Sequence, residues 1–259
     1  MSDRILVEHD GPVTTITINR PQARNALDRE TADALRDALR GFGADSEARV
    51  AVLTGSGGAF CAGADLKELA SGVDYVPWAG SPEGPLHAPL DKPVIAAVSG
   101  VACAGGLGVA LWCDLRVADT TAKFAVLSRR WGVPMSDGTT VRLPRVVGMG
   151  HALDMLLTAR MVDAQEALRI GLINRLVPEG EALVQARQLA HVIAGFPQIA
   201  MRSDRRSAYG QWDRSELQAI EHELQCSIEA RRHEAVAGAM RFAAGEGRHG
   251  ALGADAQGG

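Results

Sequence analysis

Twice along this chain a short apolar run passes into a cluster of small residues and then into a helical pattern. The first such stretch is Val50–Leu66, VAVLTGSGGAFCAGADL, and the second is Val94–Leu111, VIAAVSGVACAGGLGVAL. Strand, loop and helix in that order are the grammar of an α/β layer. Glycine weakens a helix interior by about 1 kcal/mol relative to alanine, so Gly105, Gly106 and Gly108 in four residues need a local reason. At a helix start the N–H groups lack intrahelical acceptors and lie at the positive end of the dipole, which favours anions. Small residues let a ligand approach that backbone. Two such N–H groups aimed at one point form an oxyanion hole, suited to an acyl carbonyl becoming an enolate. Dinucleotide binding competes only weakly: Gly106-x-Gly108-x-x-Leu111 lacks the last glycine of the fingerprint, and no acid follows at the required distance. Tight helix–strand packing explains either stretch alone; the pair favours a ligand.

The rest of the chain supports that layer. Ile5–His9 and Val13–Asn19 read as strands joined at Asp10-Gly11, a hairpin signal. Asn19–Leu27 is a turn, and Asp28 caps a helix with Leu35, Leu39 and Phe42 on one face. Val50–Thr54, Val94–Ser99 and Leu115–Ala118 are short buried strands, and helices begin at Ala64-Asp65 and after the glycine cluster. Ala70–Leu90 carries four prolines and little periodicity. A loop of that length in a compact domain is functional or mobile, and its Tyr75, Val76 and Trp78 are candidates to cover an apolar ligand. From Ser136 the chain reads as mostly helical, with long helices at about Glu181–Ala194 and Ser215–Ala243 and a frayed glycine-rich tail from Gly245.

Composition excludes several classes. Hydrophobic residues make up 46% and charged residues 22% of 259, enough for a real core. The net charge of −4, with Lys and Arg scattered, argues against a nucleic-acid surface. No window has the apolar length of a membrane span, and MSDRILVEHDG lacks the apolar centre of a signal peptide. Cys61, Cys103, Cys113 and Cys226 show no CxxC spacing and read as buried free thiols, not a metal site. The expectation is a cytoplasmic protein without metal.

Several blocks recur in one order: Asn19-Arg-Pro…Asn25-Ala-Leu27, Ala59-Phe-Cys-Ala-Gly-Ala-Asp-Leu-Lys-Glu68, Lys92–Gly100, Ala104-Gly-Gly106, Cys113–Ala118, Leu156–Arg160 and Gly171-Leu-Ile-Asn174. Together they resemble the crotonase superfamily, the enoyl-CoA hydratases and isomerases. The resemblance implies an α/β fold with a repeated ββα spiral core over residues 1–195. It also implies a C-terminal helical trimerisation region over 196–259, giving a homotrimer or a dimer of trimers. The ligand it implies is an acyl-CoA, bound as substrate without a further cofactor. By motif position Ala64 and Gly105 supply the two N–H groups of the oxyanion hole. Arg24 and Lys67 fall where the family meets CoA phosphates and adenosine, the Ala62 carbonyl where it receives the adenine amine, and Asp65 lies in the same binding loop. Asp65 also suits a helix cap, and for Lys67 and Glu68 a solvated helix face is the plainer account.

The resemblance has a gap. Family hydratases carry one glutamate three residues beyond the oxyanion glycine and a second in a Phe-x-x-Pro-Glu context; here those positions are Gly108 and Ser128. Adding water to an enoyl bond needs a base for the water and an acid for the α-carbon. The nearest carboxylate is Asp137, close to an aspartate of the dienoyl-CoA isomerases, and equally an N-cap for the next helix. Arg129-Arg130-Trp131 reads as packing and surface charge, and His87 and His151 have no triad spacing. Isomerisation through an enolate, with Asp137 as acid/base, fits these residues better than hydration. Thioester hydrolysis or another crotonase chemistry, and acyl-CoA binding without catalysis, remain the alternatives.

Overall fold

The computed structural model describes residues 3–74 and 76–247; Tyr75 and the tail beyond Gly247 lie outside the described residues. Two compact units meet in sequence between Ala194 and Gly195.

The first unit opens with strands β1 (Ile5–Asp10) and β2 (Val13–Ile18), paired antiparallel from Asp10–Val13 to Ile5–Ile18. Helix α1 (Arg29–Ala44) follows, started by Asp28, whose carboxylate accepts the Thr31 N–H at 2.9 Å. Such a cap contributes about 1 kcal/mol. Leu35, Leu39 and Phe42 are buried on one face, as their spacing predicts. Then come β3 (Val50–Gly55), the five-residue α2 (Leu66–Ala70), β4 (Val94–Val98), β5 (Val101–Cys103) and α3 (Gly105–Trp112). Beyond them lie β6 (Leu115–Asp119), β7 (Lys123–Ala125), α4 (Thr139–Thr158), β8 (Val162–Asp163), α5 (Ala164–Arg169), β9 (Arg175–Val177) and α6 (Ala182–Ala194).

The main sheet runs β1-β2-β3-β4-β6-β9 and is parallel from β2 onward. A second, three-stranded sheet runs β5-β7-β8. Only Ser99 and Gly100 separate β4 from β5, so the chain steps from one sheet into the other and then into α3. The path from β6 into β7 repeats the step, and one turn earlier the second strand has shrunk to a single bridge between Cys61 and Ala102. This is the ββα spiral that the resemblance implies. Strands β5, β7, β8 and β9 escape a reading by periodicity because each has only two or three residues.

Both faces of the main sheet are covered. Val13, Val50, Val52, Ile95 and Val117 pack against Ala186, Leu189 and Ala190 of α6. Ile16, Leu53, Ala96 and Ala118 face the larger core with Leu35, Phe60 and Phe124. Helix α3 is buried at all eight positions, which leaves no solvated face for a charged residue. Arg116 closes its C-terminal end by donating to Cys113 O at 2.9 Å, and its Nε ties that end to Leu172 O at 2.6 Å, a cation placed where the helix dipole favours one.

The second unit contains α7 (Gln198–Gly210), α8 (Glu216–Ala230) and α9 (Val236–Ala243). Helix α7 is an addition to the expected elements; its polar run RSDRR hides the apolar period. The long helix expected over Ser215–Ala243 is present from Glu216 to Ala243 and widens into one π-helical turn at Arg231–Ala235. That turn carries Glu234, whose carboxylate receives the N–H groups of Ile199 and Ala200 at the start of α7. Among the described residues no helix is long and apolar enough to cross a membrane.

Candidate active site

The two glycine-rich turns lie backbone against backbone. Cys61 N donates to Val101 O at 2.9 Å and Cys103 N donates to Cys61 O at 3.0 Å. A methyl group at Gly106 would overlap the Cys61 carbonyl, and one at Gly63 would lie 2.9 Å from the Gly105 nitrogen. Small residues are needed here because the turns touch.

That packing orients Ala64. Leu27 N donates to Gly63 O at 2.8 Å, and Asp65 N donates to Leu27 O at 2.9 Å. In extended chain, neighbouring residues direct their polar groups to opposite sides, so the Ala64 N–H points away from Leu27. Gly105 is the first residue of α3, and its N–H has no acceptor within the helix. Among the described residues neither N–H has a hydrogen-bond acceptor. Ala104, just before Gly105, has φ 49 and ψ −123. A non-glycine residue in that region costs on the order of 1–3 kcal/mol and persists only where the surroundings enforce it. Here the Ala104 N–H is held by Ala125 O at 2.8 Å. Sequence reasoning passed over Ala104, because alanine carries no mark of strain.

Ala64 and Gly105 both line a cavity of about 270 Å³ with Trp78, Ser128, Met135 and Asp137. Trp131, expected as packing or surface, also lines it while remaining 71% exposed. Trp78 is 4% exposed and its six-membered ring lies against the Gly105 α-carbon. Val76 lines a different, smaller cavity.

Asp137 is 2% exposed. One carboxylate oxygen accepts the Thr139 N–H at 2.9 Å, the contact a helix cap would make, although Gly138 occupies the cap position of α4. The other oxygen faces α3: a methyl group at Gly108 would lie 2.5 Å from Asp137 Oδ2 and 2.5 Å from its Cγ. The carboxyl thus fills the space that a side chain at 108 would need. Burial pushes its pKa above the ordinary carboxylate value, against the opposing pull of the Thr139 amide. Ser128 is buried and its hydroxyl donates to Met135 Sδ at 3.1 Å.

The remaining candidates lie on neighbouring segments. Ala62 N donates to Arg24 O at 3.0 Å, which joins the turn bearing Arg24 to the loop bearing Ala62. Arg24 and Lys67 have exposed side chains, whereas Ala62 is half-buried on the cavity wall. The Asp65 carboxylate accepts the Lys67 N–H at 3.0 Å and pairs with Arg20 at 2.8 Å; those contacts hold it below the usual carboxylate range against the opposing effect of burial. Its side chain therefore shapes the loop. His87 and His151 are exposed and do not line the cavity. Burial raises the Cys61 thiol to about 12 and the Cys103 thiol to about 11, so both are poor nucleophiles. Among the described residues no group of His, Cys, Asp and Glu is placed to hold a metal ion.

A family model described as enoyl-CoA hydratase/isomerase matches residues 8–246. The chain is 35% identical over 235 residues to a short-chain-enoyl-CoA hydratase of Clostridium acetobutylicum, covering 88% of this chain and 84% of that protein. It is 38% identical over 209 residues to the enoyl-CoA hydratase EchA19 of Mycobacterium tuberculosis, covering 78% and 79% respectively. The crystal structure of enoyl-CoA hydratase EchA1 from Mycobacterium marinum superposes with a TM-score of 0.88 at 33% identity, covering 94% of this chain and 96% of that one.

Proposed function

This chain belongs to the enoyl-CoA hydratase/isomerase family, and from that premise we propose that it moves a proton along the acyl group of an acyl-CoA. The Ala64 and Gly105 N–H groups hold the thioester oxygen. The Asp137 carboxylate removes a proton from the α-carbon of a 3-enoyl thioester, giving a dienolate whose charge rests on that oxygen. The protonated carboxyl, which exchanges its proton with solvent, delivers a proton to the γ-carbon, the double bond moves to the 2-position, and Asp137 is again a carboxylate. One acid/base suffices and no cofactor is consumed. Water addition would need a second proton-handling group, and Ser128 is a weak substitute for a carboxylate. The observation that carries this reading is the carboxyl of Asp137 seated in the space of a side chain at 108. Arg24 and Lys67 would meet the CoA phosphates and the Ala62 carbonyl the adenine amine, with Asp65 holding their loop.

Incubation with crotonyl-CoA, a 3-enoyl-CoA and a saturated acyl-CoA in deuterated water tests the proposal. Deuterium at the α-carbon and isomerised 3-enoyl-CoA are expected without hydration. Asp137→Asn should lower both rates by about 10²–10⁴-fold, the usual contribution of a positioned acid/base. Hydration of crotonyl-CoA that survives the substitution overturns the role of Asp137. Binding without exchange leaves an acyl-CoA carrier.

The same reading extends to assembly as a homotrimer or a dimer of trimers. Leu217, Ile220, Leu224 and Ile228 are exposed along one stripe of α8, an apolar surface suited to association. Light scattering that finds a monomer would remove this part. Its four free cysteines suit a reducing, cytoplasmic setting.

A further inference from the structure

Two cavities meet at one indole. A smaller cavity of about 40 Å³ is lined by Leu27, Leu69, Val73 and Val76 together with charged residues that include Asp28, Asp65 and Glu68. Ala64 and Trp78 line both. Of these two, Trp78 is the bulky side chain, and its ring stands against Gly105 on the wall of the larger cavity. The ring is held in place: its backbone carbonyl accepts the Leu86 N–H at 2.8 Å, and the next residue, Ala79, donates to Ser136 O at 3.2 Å. With 4% exposure and its edge against Gly105, the indole stands beside one of the two N–H groups assigned to the thioester oxygen. An acyl chain entering from the thioester would meet it within a few carbons.

We propose that Trp78 sets the acyl-chain length this protein accepts, closing the cavity behind a short acyl group and excluding long ones. The proposal rests on the acyl-CoA reading above. An open apolar cavity rewards each added methylene by about fourfold in affinity, and a closed one cannot. Wild-type protein should therefore bind butyryl-CoA at least about tenfold more tightly than dodecanoyl-CoA. Trp78→Ala enlarges the cavity beside Gly105 and should narrow that ratio by at least about threefold. Trp78→Phe, which keeps more of the packing, should improve octanoyl-CoA relative to butyryl-CoA.

Titration calorimetry with free CoA and the three saturated thioesters measures these ratios, with thermal melts showing that each variant is folded. Should Trp78→Ala fail to fold, the octanoyl-to-butyryl ratio of Trp78→Phe decides. Equal binding of butyryl- and dodecanoyl-CoA by the wild type overturns the proposal while leaving the acyl-CoA reading intact. So does a ratio that stays within twofold of wild type in both variants. Binding of neither free CoA nor any thioester by the wild type overturns the acyl-CoA reading itself.

Discussion

The two glycine-rich turns look alike in sequence and begin helices of opposite character. The first ends in α2, five residues with none buried, whose start is satisfied by the Asp65 carboxylate. The second ends in α3, eight residues all buried, with no side-chain cap and a strained Ala104 before it. A helix start whose donors are met by its own side chain has little left for a ligand; one left open in a dry site retains its full attraction for an oxyanion. In the oxyanion hole proposed above the first turn contributes through Ala64 instead, one residue before its cap, freed because Leu27 bonds to the residues on either side. Local sequence similarity therefore marks two small-residue turns, and the capping residue shows at which of them the N–H groups remain open.

The sharpest way to break this contrast is Gly108→Ala. The new methyl group would sit 2.5 Å from the Asp137 carboxyl, so the carboxyl has to move. Displacement of a reacting group by about 1 Å can cost on the order of 100-fold. The exchange rate at the α-carbon should fall by that amount while the affinity for a saturated acyl-CoA changes little. An exchange rate within threefold of wild type would mean that Asp137 does no work from its observed place.

Much of the fold was legible because the longer strands are bounded by turns and the first helix carries both a cap and an apolar face. The short strands were not, since a run such as Val101-Ala-Cys103 has the same composition whether it extends one strand or starts another. The site divides in the same way. Ala64 and Gly105 could be placed from motif spacing, and Asp137 could be named as the nearest carboxylate. That its carboxyl occupies the space beside Gly108 depends on a contact across 29 residues, which no local pattern records. The strain at Ala104 and the burial of Trp78 against Gly105 are likewise properties of packed neighbours.

Burial of Asp137 has a second consequence, seen in stability. Its folded pKa lies above the ordinary value of 3.8, so between those two values the folded protein holds more protons than the unfolded chain. Stability from this group is accordingly lost as pH rises through that window. Asp137→Asn removes the titration. Urea denaturation at a series of pH values should show the variant gaining on the wild type from acid to neutral pH and then running parallel. A difference independent of pH would show that the carboxyl titrates alike in the folded and unfolded chain.

The smallest effect belongs to the first turn. Asp65→Ala removes the acceptor for the Lys67 N–H and one partner of Arg20, which still reaches Asp28 at 3.2 Å and donates to Ala26 O at 2.8 Å. Loss of a helix cap of this kind costs about 1 kcal/mol, and a urea midpoint shifted accordingly is expected. Because the Ala64 N–H is aimed by Leu27 and not by Asp65, proton exchange should fall by less than about tenfold, one step of 1.4 kcal/mol in a barrier. Should Asp65→Ala cost as much activity as Gly108→Ala, the capped turn is as deeply involved in the chemistry as the open one. The division of labour between the two helix starts would then be wrong.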